Sequence, residues 1–176
     1  MEKKKISTKT IVIIVICIVL LLTLIGGGVY WYIFVLNADK NSPEEVLTQY
    51  VSYINEKDFE SMYTLLSDST KTRVDKQTYL DRNSNIYNGI EATNVTISDL
   101  NYDKENRKLT YSMSMDTMAG NITFSNKATF DRQDDNKYYL NWYSQLIFPD
   151  LQSDYKVRVP TTQGKRGAIL ARDGTA

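Results

Sequence analysis

An almost uninterrupted run of apolar residues, from Ile11 to Ile25, stands near the start of the chain. Three glycines follow, and the apolar character then resumes as far as Phe34. One helix over residues 11–34 would be about 36 Å long at ~1.5 Å per residue, enough to cross the core of a bilayer with some tilt. The pattern predicts a transmembrane anchor over residues 11–36, preceded by a basic tail over residues 1–10.

A cleaved signal peptide and a lipid-attachment site are the alternatives to a membrane anchor. The apolar stretch is longer than that of a signal peptide, and no A-x-A-like cleavage site ends it. A lipoprotein site requires a small residue before its cysteine, whereas Ile16 precedes Cys17. The sequence therefore predicts an uncleaved anchor in which Cys17 is a small apolar residue.

Positive charges are unequally distributed about this segment. Only Lys40 follows it closely, whereas four lysines precede it: Lys3, Lys4, Lys5 and Lys9. Because cytoplasmic flanks carry the excess of Lys and Arg, we expect a cytoplasmic N-terminus and an exterior location for everything after Leu36. The aromatic residues 30–32 would then lie at the outer membrane–water interface.

Helical spacing of apolar residues follows the membrane segment. Ser42 can cap a helix, Pro43 suits its first position, and the two glutamates that follow complement the positive end of the helix dipole. Asp58 and Asp75 mark two further starts, each leading into apolar residues three or four positions apart. Three amphipathic helices are therefore predicted, the last with Gly89 as its C-cap.

A period of two replaces the helical period in the second half of the chain. Strands are predicted over four stretches, residues 95–97, 109–115, 121–132 and 137–143. Polar, turn-like residues 103–107 and 133–136 separate them. Alternation of apolar and polar residues in these stretches is typical of antiparallel strands with one buried face.

Helices that precede an antiparallel sheet in the sequence indicate an α+β domain. The helices would cover one face of a curved sheet, an arrangement that a half-open cone provides. Residues 37–151 have the length of one ordinary domain, and that length suffices to bury a hydrophobic core. One extracytoplasmic domain is therefore predicted over residues 37–151.

Composition restricts the chemistry of this domain. The chain has no histidine and a single cysteine, Cys17, so Ser-His-Asp, Cys-His and zinc sites are excluded and no disulfide is expected outside the membrane. Removing the four N-terminal lysines and Glu2 from totals of 21 basic and 21 acidic residues leaves 17 and 20. The exterior part is slightly acidic and has no basic stripe, which argues against a nucleic-acid partner. No metal or cofactor site is expected.

Several stretches, taken in order, resemble one known family. They are the three-helix region, residues 86–95, a terminal strand over residues 141–151, residues 156–159 (Lys-Val-Arg-Val), and a motif made of Arg166, Gly167, Ile169, Arg172 and Gly174. In these stretches the chain is similar to the N-terminal part of class B penicillin-binding proteins. The resemblance covers residues 37–176 and implies an NTF2-like cone, with three helices packed on a curved, mostly antiparallel sheet.

The same resemblance identifies residues 152–176 as a linker and the start of the dimerisation domain of these proteins. The chain is therefore expected to be the opening part of a longer one. Ala171 stands where the junction motif of the family usually has Asp, so a polar contact of that junction is expected to be missing. The catalytic motifs S-x-x-K, S-x-N and K-[ST]-G of the family would lie downstream.

Two pairs of residues are candidates for chemistry within the chain itself. Ser153 and Lys156 match S-x-x-K, but about one chance match is expected in a chain of this length, and this one lies in a linker without the motifs that would activate the serine. Asp81 and Asp116 are the carboxylates that could act as a base in an NTF2-like enzyme, on fold analogy alone. The sequence predicts no catalytic residue in this chain.

Four aromatic residues gather on the last predicted strand, at positions Tyr138, Tyr139, Trp142 and Tyr143. They could form a surface that stacks on sugars or binds a protein. The alternation of strand residues instead predicts that half of them belong to the core and half to the outer face of the sheet.

These observations predict a non-catalytic membrane anchor and pedestal for the transpeptidase domain of a penicillin-binding protein. A full-length parent would be a serine-type D,D-transpeptidase that acts on peptidoglycan and binds penicillin. The expected partners are the membrane, the downstream transpeptidase domain and other proteins of cell-wall synthesis. The alternative is a single-pass envelope protein whose NTF2-like domain binds a partner or a small ligand.

Overall fold

A long apolar helix begins the part of the chain that the structure, a computed structural model, describes: residues 8–159, with side chains from residue 16. This helix, α1, spans Thr8–Leu36. Its stretch Ile16–Leu36 has a mean hydropathy of 2.2 and is long and apolar enough to cross a membrane. All side chains of that stretch are exposed, as lipid-facing side chains of a single helix would be.

Within residues 37–159, four helices follow: α2 (Pro43–Glu56), α3 (Phe59–Thr64), α4 (Asp68–Arg73) and α5 (Lys76–Gly89). Each begins after a residue whose side chain accepts a hydrogen bond from the backbone N–H three residues later, namely Ser42, Asp58, Ser67 and Asp75. At α2 the side chain of Glu45 also accepts from the N–H of Ser42, which completes a capping box. The predicted starts at Ser42, Asp58 and Asp75 are confirmed.

Two details of the helical region differ from the prediction. Helix α4 is additional, because its six residues bury only Thr70 and therefore show no apolar stripe. Gly89 is not a C-cap but the last residue of α5, and the cap is Ile90. The left-handed residue that turns the chain is Glu91, with φ of 53°.

An antiparallel sheet follows the helices. Its four described strands are β1 (Thr93–Asp103), β2 (Lys108–Thr117), β3 (Gly120–Arg132) and β4 (Tyr138–Asn141). They lie in the order of the sequence, so each strand pairs with the next along the chain. The β1–β2 register shifts twice, and at the second shift Asp99 has φ of 53°. The predicted α+β class with an antiparallel sheet is confirmed.

The hydrophobic core lies between the helices and one face of the sheet. On β2 every second residue is buried: Leu109, Tyr111, Met113 and Met115. Helix α2 contacts β1 and β4, and it buries one face made of Val46, Leu47, Tyr50, Val51 and Ile54. Burial of these side chains, worth roughly 1.5–3 kcal/mol each, is the main force that holds α2 on the sheet.

The outer edge of β4 is covered by the segment between α3 and α4. The backbone of Leu140 donates to the carbonyl of Leu65 and accepts from the N–H of Ser67, each at 2.9 Å. Leu66 and Leu140 thereby form a parallel bridge. This pairing satisfies backbone groups that an open sheet edge would leave exposed.

The chain does not continue as a strand after β4, although strands were predicted over residues 137–143 and 141–151. A 3-10 turn, Ser144–Leu146, bends it away. Asn126, on the inward face of β3, donates from Nδ2 to the carbonyls of Gln145 (2.8 Å) and Leu146 (3.3 Å). A buried amide therefore holds the bend, and the predicted strand ends at Asn141.

Candidate functional site

The S-x-x-K match does not form a catalytic arrangement. Ser153 lies in an exposed turn and Lys156 is exposed in an irregular segment, whereas a nucleophile needs a base within hydrogen-bond reach. Both residues belong to the last described stretch of the chain.

The two candidate carboxylates are not part of a common pocket. Asp81 is exposed on α5 and accepts a hydrogen bond from Gln77 at 2.7 Å. Asp116 accepts from the side-chain amides of Asn121 (2.9 Å) and Asn94 (2.8 Å). These hydrogen bonds lower the pKa of the Asp116 carboxyl, whereas a general base of the buried-carboxylate kind needs a raised pKa.

Metal ligands are likewise not gathered in the described part of the chain. Within residues 16–159, no group of three or more histidine, cysteine, aspartate and glutamate side chains could hold a metal ion. A cavity of about 520 Å³ opens along β1–β3, and its lining includes exposed Asp99, Thr110 and Lys127 together with buried Tyr111 and Asn126. Such a lining provides no buried charge around which chemistry could be organised.

The aromatic residues at the end of the sheet divide by alternation, as predicted. Tyr138 and Trp142 are buried. Tyr139 donates its hydroxyl to Asp135 at 2.8 Å, and the guanidinium of Arg73 lies 3.9 Å from the ring centre of Tyr143. Since two rings are inside and the other two already have polar partners, they do not form a continuous stacking platform.

A set of polar contacts joins the end of α1 to the β3–β4 hairpin. The side-chain amide of Asn136 donates to the carbonyl of Leu36 at 2.6 Å, and Arg132 donates from Nη2 to the carbonyl of Asn37 at 2.8 Å. The N–H of Lys40 donates to the carbonyl of Asn136 at 2.8 Å. We call this set of contacts between residues 36–41 and residues 132–138 the anchor clamp.

Side chains on both strands of the hairpin complete the anchor clamp. Arg132 forms an ion pair with Asp39, with Nε 2.5 Å from Oδ1, and the hydroxyl of Tyr138 donates to Oδ2 of Asp39 at 3.2 Å. Asn41 makes two hydrogen bonds with the backbone of Tyr138, at 2.7 and 3.1 Å. The chain therefore leaves α1 directly into a hydrogen-bonded contact with the hairpin rather than into a free linker.

The contacts of the anchor clamp favour the ionised form of the Asp39 carboxyl. The hydrogen bond from Arg132 lowers the pKa of the Asp39 carboxyl, so Asp39 is ionised at neutral pH. The positive charge of Arg132 also lies beside the carbonyl end of α1, where a cation is favourable. Tyr102 packs edge-on against Tyr138 with ring centres 6.4 Å apart, and burial raises the pKa of Tyr102 to about 12.

The segment that leaves the domain after residue 151 is also held by hydrogen bonds. Arg82, on α5, donates from Nη2 to the carbonyls of Gln152 (2.7 Å) and Tyr155 (3.3 Å). Val157 and Val159 then line one groove together with Ile86 of α5, the cap residue Ile90, and Met118 of the β2–β3 turn. Residues 152–159, which we call the exit strap, therefore lie against α5.

Sequence reasoning did not single out the residues of the anchor clamp or the exit strap. Arg132 precedes the turn over residues 133–136 and Asn136 is its last residue, and the sequence predicts this turn only as a polar connection. Arg82 is a single charged residue on the surface of a helix. Composition of the 133–136 turn, rich in Asp and Asn, is the one local signal that could have drawn attention to it. The family junction motif, Arg166, Gly167, Ile169, Arg172 and Gly174, lies outside the described residues, as does Ala171.

Comparison with known proteins identifies the family. Residues 42–165 match the family described as the NTF2-like N-terminal transpeptidase domain. Penicillin-binding protein 3 of Bacillus subtilis (strain 168) is 28% identical over 143 residues, which make up 76% of this chain and 21% of that protein. The chain thus spans about a fifth of the length of this curated relative. Together with the helices and antiparallel sheet described above, these matches establish that the chain belongs to the NTF2-like N-terminal transpeptidase domain family of penicillin-binding proteins.

Proposed function

We propose that the chain is the non-catalytic membrane anchor and pedestal of a penicillin-binding protein. In this proposal residues 1–10 are a cytoplasmic tail, residues 11–36 cross the membrane once, and residues 37–151 form the extracytoplasmic domain. Residues 152–176 lead into the dimerisation domain. A transpeptidase domain further along the parent protein would carry out peptidoglycan cross-linking and bind penicillin, and this region would set its height above the membrane.

The anchor clamp is the observation that carries this proposal. A pedestal has to transmit position, so the membrane helix and the domain must be joined without a flexible linker. Hydrogen bonds from Arg132 and Asn136 to the last carbonyls of the helix, and the ion pair to Asp39, provide such a joint. The exit strap supports the same proposal at the other end, because Arg82 holds the chain where it leaves the domain.

A flexible insertion in the full-length protein tests the pedestal role. About 12 Gly and Ser residues placed between Ala38 and Asp39 would add a loose connection with a reach of about 20 Å. We expect penicillin binding to persist while peptidoglycan cross-linking in the producing bacterium falls. The matched control carries the same insertion between Glu105 and Asn106, in an exposed turn off the path from membrane to catalytic domain. Equal cross-linking by the two variants would rule out the pedestal role.

Membrane orientation is tested separately with cysteine labelling. In a Cys17→Ser background, Ser153→Cys should react with a membrane-impermeant maleimide on intact cells, and Glu2→Cys should react only after the cells are opened. The reverse pattern would contradict the proposed orientation.

A fluorescent penicillin tests where the chemistry resides. It should label the full-length parent equally well before and after Ser153→Ala, and it should not label the 176-residue chain. Labelling of the short chain that disappears with Ser153→Ala would instead assign a nucleophile to the exit strap. If the 176-residue chain binds a protein from the cell envelope in stoichiometric amount, that result would favour the alternative of an independent binding protein.

A further inference from the structure

A cleft of about 480 Å³ is lined by three segments that lie far apart in the sequence. Arg73 is the last residue of α4, Tyr143 and Gln145 follow β4, and Gln152 and Ser153 begin the exit strap. The volume lies within the range of ~300–1,000 Å³ that is typical of small-ligand sites. A ligand of matching size can therefore contact all three segments.

The guanidinium of Arg73 is held in position by two contacts. Its Nη2 donates to the backbone carbonyl of Trp142 at 2.5 Å. Its central carbon lies 3.9 Å from the ring centre of Tyr143, at the distance of a cation–π contact. Because these contacts restrict the side chain in the free protein, less ordering is required when a ligand binds.

The positive charge of Arg73 has no acidic partner in the described part of the chain. The ion pairs there join Lys76 to Glu60 and Arg132 to Asp39. A guanidinium has five N–H donors, and the contact with the carbonyl after β4 is the one hydrogen bond that this side chain makes to the described residues. Donors of Arg73 are therefore left for a ligand.

The rest of the lining is neutral. The side-chain amides of Gln145 and Gln152 and the hydroxyl of Ser153 can each donate and accept hydrogen bonds. Val74 and the ring of Tyr143 add apolar surface. A forked guanidinium matches the two oxygens of a carboxylate, and one negative charge balances its positive charge. A phosphate dianion would bring a second negative charge without a partner.

We propose that this cleft binds a short peptide through a carboxylate group, which accepts hydrogen bonds from Arg73. The amides of Gln145 and Gln152 pair with N–H and C=O groups of the peptide backbone, and an apolar side chain of the peptide packs against Val74 and Tyr143. Because Gln152 belongs to the exit strap, a bound peptide also adds contacts that hold the strap to the domain. This inference does not depend on the pedestal role.

Titration calorimetry with the full chain in detergent micelles tests the site. The probes are acetyl-Gly-Leu with a free carboxylate, the same peptide with an amidated C-terminus, and inorganic phosphate. We expect the free acid to bind and the amide to bind at least about 10-fold more weakly, because hydrogen bonds between charged groups are lost. Equal affinities of the two peptides, or no binding of the free acid at about 10 mM, would overturn the proposal. Tighter binding of phosphate would overturn it as well, in favour of a phosphate site.

Substitutions in the chain test whether Arg73 is the residue that binds. Arg73→Ala should weaken binding of the free acid about 10-fold, and Arg73→Lys, which keeps the charge but not the fork, should have a smaller effect. Arg107→Ala, in an exposed turn outside the cleft, is the matched control and should leave the affinity unchanged. Unchanged affinity of Arg73→Ala, or an equal loss in Arg107→Ala, would contradict the role of Arg73.

Tyr143→Leu separates ligand binding from the folding of the segment after β4. Arg73→Ala also removes the contact with the Trp142 carbonyl, whereas Tyr143→Leu leaves that contact and the charge in place and keeps an apolar surface. Loss of the ring against the guanidinium should weaken binding of the free acid about two- to fivefold and leave binding of the amide unchanged. An equal loss for both peptides would overturn recognition of the carboxylate by the stacked guanidinium.

Discussion

The side-chain amide of Asn136 donates a hydrogen bond to the backbone carbonyl of Leu36, 2.6 Å away and 100 positions earlier in the chain. Leu36 ends α1, and its carbonyl is one of those that an α-helix leaves without an internal partner. A residue of the β3–β4 turn therefore completes the end of α1. This contact makes the helix and the sheet parts of one structure.

Loss of the Arg132 side chain should loosen that connection. Arg132→Ala removes the ion pair with Asp39 and the hydrogen bond to the carbonyl of Asn37. Because both charged groups are partly exposed, we expect the free energy of unfolding to fall by about 1 kcal/mol. Chemical denaturation of the full chain in detergent micelles measures the change.

Two variants make the result on the anchor clamp specific. Arg132→Lys keeps the charge but loses the forked geometry, so its effect should be smaller. Lys127→Ala removes a charge from the exposed face of the same strand and should change stability by less than about 0.5 kcal/mol. If Lys127→Ala destabilises as much as Arg132→Ala, the contacts of Arg132 contribute nothing specific.

Asn126→Asp should be among the more damaging changes in the sheet. Asn126 is buried, and the substitution replaces the amide that donates to the carbonyls of Gln145 and Leu146 with a carboxylate that faces the same two oxygens. We expect a loss of about 3 kcal/mol, since one carboxylate oxygen would keep the N–H of Lys127 as its donor but the other would face two carbonyl oxygens. The same change at exposed Asn101 serves as the comparison and should cost less than about 0.5 kcal/mol. Similar losses at the two positions would contradict a structural role for Asn126.

Below neutral pH, stability should change only at the acid end of the range. Hydrogen bonds from the Thr78 side chain and backbone lower the pKa of the Asp75 carboxyl below its usual value of about 3.9. A carboxyl whose pKa is lower in the folded chain than in the unfolded chain stabilises the fold at pH values above its unfolded-state pKa. This stabilisation is lost as the pH falls through the folded-state pKa. Asp58, Asp103 and Asp116 have lowered pKa values for the same kind of reason. Tm should thus be nearly constant from pH 5 to 7, where no histidine titrates, and fall below about pH 4.

Asp75→Asn tests the contribution of one of these carboxyls. Asparagine caps helices about as well as aspartate, so Tm at pH 7 should change little. The variant should lose less stability than the parent between pH 4 and pH 2. An unchanged acid slope would mean that Asp75 has the same pKa in the folded and unfolded chains.

Periodicity predicted the elements that bury a continuous apolar face. Helix α2 and strand β2 both belong to this group, and both occupy the positions expected from spacing alone. Helix α4 was not predicted, because it buries one residue, Thr70, and a single buried residue gives no periodic pattern. The predicted strand after Asn141 failed for another reason: a polar residue, Asn126, occupies an inward position and bends the neighbouring segment by hydrogen bonding.

The anchor clamp lay beyond local sequence patterns for a geometric reason. Its partners are separated by 93 to 100 positions, and each one taken alone is an ordinary polar residue next to a turn. Only the meander of the sheet brings Arg132 and Asn136 back to the end of α1. Motif order, in contrast, identified the family, because it depends on the sequence and not on which side chains meet.

The exit strap should detach when its arginine is removed. Arg82→Ala deletes the donor to the carbonyls of Gln152 and Tyr155. We expect amide hydrogen exchange of residues 152–159 to become several-fold faster, while exchange within α2 stays the same. Arg82→Lys retains the charge and should give an intermediate rate. Faster exchange throughout the domain would indicate general destabilisation instead of local release.

The order of the strands has a consequence for biogenesis. Because β1 to β4 pair in sequence order, each hairpin can form once its second strand has reached the compartment in which the domain folds. The contacts of Asn41 with Tyr138, 97 positions apart, have to wait until nearly the whole domain has been synthesised. During synthesis the apolar helix and the growing sheet are therefore not yet in contact. The β3–β4 hairpin, which is synthesised last, forms the contacts that join them.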